Sequence, residues 1–598
     1  MGGIAGWVAK GAHAPDEGAV VPVLAALAHR GSSGDGVFTF TTESGFRAVL
    51  GNAWYDEEAG IAVMLDGALA NRHEIRSELA PRGYTFDGGD CAPEVLARAY
   101  QHWDKDVVHH LRGAFAFALW DARKERLLLG RDRLGEKPLY LHERGSCVYF
   151  ASELRALVKV PGICAQPDPG AAHDYLAFRY VPAPRTLITG IRKLMPGTHA
   201  LWQFGRLRES RYWTPPDRNP LVPQRLSDPV AAFSETLEEA VTLRLPAGIL
   251  LSGGIDSASV LALASKHQKV RTFAAGFADD RHSELPRAAQ VAKHFGAEHH
   301  EIVLSPRDIV ARLAEAVARR DAPVSRPGDV ALHFIAREAA RSVKAVLTGE
   351  GADEILGGYR RHVAERYGWG LRSLPTFMLL AAPLARRRPR LQTALASLRT
   401  NDWRQRIARW VGVLGDGERR KLVPVAAKTP TTQNPLPPFD AHPNTSNLRR
   451  ALYFDQASWL PDNVLERADR MTMAATLEAR APFLDHRLVE LVSTLPDDWR
   501  VRRLETKRIL RQAAKPLLAG LKPRKAGFRV PVGEWLRGEL RDYLVGHLRD
   551  GTSLTRPYYE ARVLDRLLDE HLAGKRNHET LLWTLLNLEI WHRASRPA

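Results

Sequence analysis

The sequence predicts an α+β segment followed by an α/β segment on a parallel sheet, with a largely helical C-terminal part. Three observations predict this. From the first residue to about Trp213, short strand-like runs alternate with turn signals around two helical stretches. From about Ser227, buried apolar runs alternate with helical patterns, as in a sheet covered on both faces. A single stretch, GILLSGGIDSASVLALA at Gly248–Ala264, joins an apolar strand to a helix through a glycine-rich loop.

In the first segment, Val20–Ala28 and Ala92–His102 read as helices. Ile61–Leu65, Phe115–Trp120, Arg126–Leu129 and Val148–Ala151 read as strands, divided by turns such as Asp121-Ala122-Arg123-Lys124. The Pro-rich stretch from Thr214 to Pro223 reads as a linker, giving boundaries of 1–213, 214–226 and 227–598. In the last of these, Gly248–Leu251, Arg271–Gly276 and Ala345–Thr348 are the expected buried strands. Beyond Tyr359 the pattern is mostly helical, with a Pro- and Arg-rich part at 360–443.

The loop Ser252-Gly253-Gly254-Ile255-Asp256-Ser257 carries the chemistry. A strand feeding a helix through such a turn points backbone N–H groups at one place, where an anion can sit. The glycines allow close approach, and the serine hydroxyls can donate to phosphate oxygens. Asp256 repels phosphate, so its expected role is to hold a magnesium ion that binds it. No Lys-Ser or Lys-Thr follows the last glycine, so this is not a Walker A loop. The alternative is an ordinary strand–turn–helix junction.

Composition narrows the class. The 598 residues allow two to four domains. No apolar run approaches the ~18 residues of a membrane helix, and the start lacks a signal-peptide pattern, so a cytoplasmic protein is expected. The three cysteines, Cys91, Cys147 and Cys164, have no metal-ligand spacing, nor do His109-His110 or His299-His300. A net charge of +17 suits acidic partners. Without an RNA-binding signature it argues little for nucleic acid, and much of it is arginine spread along helices, densest at Arg386–Arg390.

Longer motifs carry a family resemblance. MGGIAGW, RGAFAFALWDARKERLLLGRDRLGEKPLYL at Arg112–Leu141 and FASELRAL at Phe150–Leu157 resemble the glutaminase domain of type B asparagine synthetases. The Ser252 loop, which resembles the pyrophosphate loop of N-type ATP pyrophosphatases, resembles their synthetase domain. So do TGEGADEILGGY at Thr348–Tyr359, ADRMTMAATLEARAPFLDH at Ala468–His486 and RKAGFRVPVGEWL at Arg524–Leu536. The resemblance implies a nucleophile-hydrolase-like αββα sandwich followed by an ATP-pyrophosphatase domain of the adenine-nucleotide α-hydrolase type. It implies a reaction in which ATP activates a carboxylate as an acyl-adenylate and an amine attacks it.

The first domain departs from that pattern. Glutamine-using members expose a cysteine after loss of the first methionine; here position 2 is Gly2. Their FNGEIYN-like segment, which supplies an Asn-Gly oxyanion hole, reads LDGALAN at Leu65–Asn71, so Asp66 puts a carboxylate where a donor is needed. Ala68 replaces an acidic substrate-holding residue, and Asp90-Cys91-Ala92-Pro93-Glu94 stands in a Ser-Asp-Thr-Glu-like position. No arginine-bearing glutamine loop is recognisable; Arg47 is the one arginine between Arg30 and Arg72. The expectation is an inactive glutaminase domain kept as a structural partner packed on the synthetase domain.

The second domain keeps its pattern. The resemblance places Ser252, Gly253, Gly254, Asp256 and Ser257 on the pyrophosphate, and Leu251, Ala275, Thr348 and Gly349 around the adenosine. It makes Asp256 and Asp353 the magnesium carboxylates, Glu350 a general base for the attacking amine, and Lys507 a cation near the α-phosphate. For Arg470, Arg480 and Glu354 the alternative is a structural ion pair. The family's Asp-Glu-Pro segment reads Asp321-Ala322-Pro323 followed by VSRPGDVALHF, which argues against free aspartate as acceptor.

An enzyme with an adenylation site and no ammonia source can use an amine already in its substrate, as the related β-lactam and lasso-peptide macrolactam synthetases do, or take free ammonia. The favoured expectation is lactam formation on a precursor peptide, with ATP and Mg2+ as cofactors and leader-binding and protease partners. A homodimer is compatible with the family. The competing expectations are an ammonia-dependent asparagine synthetase and, from another class, a non-catalytic scaffold. Retention of Asp256, Glu350, Asp353 and Lys507 argues against the scaffold. The absence of a Cys-x-x-Cys pair argues against tRNA thiolation.

Overall fold

The computed structural model describes residues 2–31, 36–87, 89–219, 226–277, 283–372, 394–397, 399–414, 416–424, 442, 444–521 and 530–595. The Arg386–Arg390 cluster and most of the RKAGFRV stretch lie outside the described residues. The chain forms two compact units that do not follow the sequence boundary. One holds Met1–Pro167, Ala183–Thr214 and Leu465–Arg480; the other holds Asp168–Pro182, Pro215–Val464 and Ala481–Ala598. No helix among the described residues is long and apolar enough to cross a membrane.

The first unit is built on antiparallel strands. Their spatial order is Arg206–Arg211, Thr198–Gln203, Arg126–Arg131, Gly113–Asp121, Ile61–Leu69, Arg47–Asp56, Ala5–Ala9, Cys147–Ala151, Tyr140–Arg144 and Ile191–Lys193, with Gly36–Thr41 also on Arg47–Asp56. Period-two alternation decides which residues meet the core. Val63, Leu65 and Leu69, with Phe115, Phe117 and Leu119 across the ladder, pack against Ile75, Leu79, Val95, Leu96 and Tyr100 of the helices Arg72–Leu79 and Ala92–Trp103. Asp66, paired with Ala116, therefore lies on the opposite face of its strand.

In the second unit, Glu298–Leu304, Arg271–Phe277, Gly248–Leu250 and Ala345–Leu347 lie side by side and parallel. Ile249, Phe273 and Val346 are buried, as a sheet covered on both faces requires. The helix Arg508–Leu517 packs against Pro229–Thr242 and Ile255–Ala264, which brings the residue at its start, Lys507, to the end of the Gly248–Leu250 strand. From Ala352 onward the described elements are mostly helical.

The stretch read as a linker is anchored at its start. Asp217 follows Pro216 in a short helical turn, is fully buried, and pairs with Arg449 at 3.2 Å and Arg500 at 2.7 Å. A buried carboxylate held by two guanidiniums is no mobile tether. Residues 220–225 lie outside the described residues.

Candidate active site

The candidate site sits at the C-terminal ends of the parallel strands, where α/β sheets hold ligands. Leu251 continues the strand through an N–H bond to the Phe273 carbonyl at 2.9 Å. The chain then turns at Gly253 with φ +69°, and a Cβ there would lie 2.8 Å from Arg287 Cβ, so only glycine fits. Gly254 precedes the helix Ile255–Ala264 and gives no side-chain cap, which leaves the first-turn N–H groups pointing into the loop. Ser252 and Ser257 meet through their hydroxyls at 3.1 Å, and Ser257 Oγ accepts from the Ser252 N–H at 3.2 Å. The two hydroxyls are thus held together in one cradle.

The loop after Ala345–Leu347 closes over this helix start. A Cβ on Gly349 would stand 2.9 Å from Asp256 Cβ and 3.1 Å from the Ser257 nitrogen. Thr348 is buried, and its hydroxyl accepts from the Glu350 N–H at 3.4 Å. Glu350 lies in the same loop, between Thr348 and Asp353. Ala275, in the neighbouring strand, is also buried.

The decisive contact is Lys507. Its ammonium lies 2.7 Å from both Asp256 oxygens and 2.6 Å from Asp353 Oδ1. Burial alone would lower this amine's pKa, but Asp256 and Asp353 outweigh it and raise the value, so the lysine is charged. Two carboxylates, each in the first turn of a different helix, and a lysine at the start of a third thus meet at a single cationic centre. Gly358 is forced by the same contact, since a Cβ there would collide with the Asp353 carboxylate and Lys507 Cε. The Gly-Gly-Tyr ending of its motif is the signal that could have singled it out.

Glu354 faces a different environment. It is buried and accepts from the Tyr359 hydroxyl at 2.5 Å. Burial, with Asp353 and Asp455 nearby, pushes its carboxyl up to about 8, so it is protonated near neutral pH. Arg470 and Arg480 fall in the first unit, where Arg470 pairs with Glu153 at 2.6 Å and Arg480 with Glu478 at 2.8 Å.

In that first unit, Asp66 is fully buried in a network of charges. Its carboxylate accepts from Arg30 Nη2 at 2.9 and 3.2 Å and from Ser152 Oγ at 2.6 Å. Arg30 also pairs with Glu153 at 3.1 Å and Asp469 at 2.8 Å, and Lys137 pairs with Asp469 at 2.9 Å. Burial opposes ionisation of Asp469 and Glu153, yet the surrounding cations hold both carboxyls below their usual range. Arg47 is occupied elsewhere, donating to the Ala14 and Pro15 carbonyls.

Among known families, an asparagine synthase model matches residues 232–593 and a glutamine amidotransferase model matches residues 1–213. The chain belongs to the asparagine synthetase family. Asparagine synthetase 1 of Bacillus subtilis, named as glutamine-hydrolysing, is 30% identical over 598 residues, covering 95% of this chain and 92% of that protein. A Mycobacterium tuberculosis protein provisionally given the same name is 33% identical over 554 residues, covering 89% and 84%. The amidase chyE of Penicillium rubens is 26% identical over 516 residues, covering 77% and 75%. The two matched regions give this asparagine synthetase-family ligase a glutamine amidotransferase-like N-terminal domain and a synthase domain. Enzymes of the family use ATP, typically with magnesium.

The residues present fit that metal. Asp256 and Asp353 converge on one cationic atom, and magnesium binds through one or two carboxylates plus substrate phosphates and water.

Proposed function

We propose that this ligase activates a carboxylate with ATP, releasing AMP and pyrophosphate, and joins it to an amine without drawing on glutamine. The observation that carries the reading is Asp66. Its carboxylate stands where the resemblance calls for an oxyanion donor, and Arg30 and Ser152 hold it in a buried charge network. An anion there opposes the negative charge that builds up when an amide is attacked. The synthase side, in contrast, keeps Asp256, Asp353 and Lys507 in contact.

In this reading the Ser252–Ser257 loop and the uncapped helix start bind the pyrophosphate portion of ATP, with Leu251, Ala275, Thr348 and Gly349 around the adenosine. Asp256 and Asp353 would hold magnesium, which supplies charge neutralisation for the departing pyrophosphate. Lys507 places a fixed cation beside them, near the α-phosphate. Glu350 takes the proton from the amine as it attacks the activated carbonyl. The favoured product is a lactam within a precursor peptide, made in the cytoplasm beside leader-binding and protease partners, and the basic chain supports an acidic peptide substrate.

The names of the bacterial relatives favour a second reading, asparagine made from aspartate, here with free ammonia. Purified protein with ATP, magnesium, aspartate and ammonia separates the two. Asparagine accumulating with pyrophosphate release rejects the lactam reading. Pyrophosphate release only with a peptide that then loses the mass of one water supports it.

A further inference from the structure

The first unit carries a small cavity of about 190 Å3. Three segments wall it. The hairpin of Tyr140–Arg144 and Cys147–Ala151 gives one wall. His142 stands opposite Tyr149 across this ladder, and Arg144 lies two residues beyond His142, so all three side chains share a face. The turn after Ala5–Ala9 gives the second wall through His13 and Pro15. The loop after Leu154–Leu157 gives the third through Pro161 and Ile163.

Dedicated contacts tie these walls in place. The Tyr149 hydroxyl donates to the His13 carbonyl. Arg47 Nη2 donates to the Ala14 and Pro15 carbonyls at 3.3 and 2.9 Å. His142 Nδ1 donates to the Gly190 carbonyl at 2.8 Å, which fixes the ring. Gly162 has φ +85°, and a Cβ there would stand 3.4 Å from Arg144 Nη1, so the third wall lies close under the guanidinium.

The lining is one-sided in charge. Arg144, His13 and His142 can carry positive charge, and no carboxylate lines the cavity among the described residues. Glu143, between His142 and Arg144, faces the other side of its strand and pairs with Arg192 at 2.5 Å. Arg144 is exposed and makes no hydrogen bond or ion pair among the described residues. The Tyr149 hydroxyl is spent on the His13 carbonyl, so its ring, with Pro15, Pro161 and Ile163, offers apolar surface. A guanidinium with its N–H groups unspent grips a carboxylate or phosphate through paired bonds. An anion beside the imidazoles favours their charged form. An apolar cavity of about 150 Å3 takes one benzene ring, so this one holds a single ring or short chain together with its charged group.

We propose that this cavity binds a small organic anion, a carboxylate or phosphate on an apolar body the size of one ring. Arg144 holds the charged group, and Tyr149, Pro161 and Ile163 pack against the body. This is a second ligand site, and it stands or falls independently of the adenylation reading above.

Calorimetry on the full chain with benzoate, phenyl phosphate and neutral benzamide tests this at about pH 6, where imidazoles of ordinary pKa are mostly charged. A saturating non-hydrolysable ATP analogue keeps the phosphate probe out of the Ser252 loop. The wild type binds benzoate or phenyl phosphate and leaves benzamide free; the tighter of the two anions names the charged group. Arg144→Gln weakens that binding by about tenfold or more, and Arg144→Lys by less, while the melting temperature holds. Ile163→Trp fills the cavity and abolishes binding of both anions. The inference is overturned if neither anion binds, if benzamide binds as tightly, or if either Arg144→Gln or Ile163→Trp binds as the wild type does.

Discussion

Replacing Lys507 with methionine removes the ammonium shared by Asp256 and Asp353 and keeps the side chain's bulk. The carboxylates are left close together, each having stood 2.6–2.7 Å from one nitrogen. Two unit charges roughly 5 Å apart repel by about 3 kcal/mol at an effective dielectric constant near 20. Their side chains are 22% and 20% exposed, so water screens part of this, and a net loss of about 2 kcal/mol is expected. In a domain of this size that lowers the melting temperature by roughly 4 °C. The variant should regain stability as magnesium is added, by about 2.7 kcal/mol at a hundredfold excess over its dissociation constant, while the wild type gains less because Lys507 competes. Pyrophosphate–ATP exchange should fall by about a hundredfold. Thermal melts with and without magnesium check this. A variant that melts within 1 °C of wild type, with no response to magnesium, refutes the shared cationic centre.

Other substitutions test the surrounding contacts. Asp66→Asn should leave glutamine unhydrolysed and lower stability by about 2–3 kcal/mol, because Arg30 loses one of three carboxylates; chemical denaturation and a glutamate assay read both. Gly358→Ala should abolish exchange while the fold persists by circular dichroism, since the added methyl displaces Asp353 or Lys507. Asp469→Asn should be less stable than wild type near neutral pH, and the gap should close in acid. Arg30 and Lys137 overcome burial to hold the Asp469 carboxyl below its unfolded value near 4, so its contribution is complete above that value and lost as pH falls below it. Melting curves from about pH 6 to 3 show whether the gap stays constant down to about pH 4 and then begins to narrow.

The parallel sheet was legible because its inner strands are short apolar runs. Gly248–Leu250 and Ala345–Leu347 differ from the expected runs by one residue at the C-terminal end, where the chain leaves the ladder to form the loops that carry Ser252 and Thr348. The edge strand Glu298–Leu304 is hard to see in sequence, because exposed Glu298 and Glu301 leave only the short apolar run Ile302–Leu304. Arg206–Arg211 was hidden for the same reason: nearly every side chain in it faces water. Local pattern also cannot show that Leu465–Arg480 belongs with the first unit. That follows from Asp469 meeting Arg30 and Lys137, residues far away in sequence. At the candidate site, Asp256, Asp353 and Lys507 were named from motifs, and their shared contact needed three dimensions.

The fate of the amide nitrogen of glutamine tests the central claim most directly. Purified protein is given ATP, magnesium, aspartate and glutamine labelled with 15N at the side-chain amide, and the nitrogen is followed by NMR. If Asp66 fills the oxyanion position as proposed, the label stays in glutamine throughout. Label appearing in ammonia or in the amide of a product, with glutamate formed in step, contradicts the account.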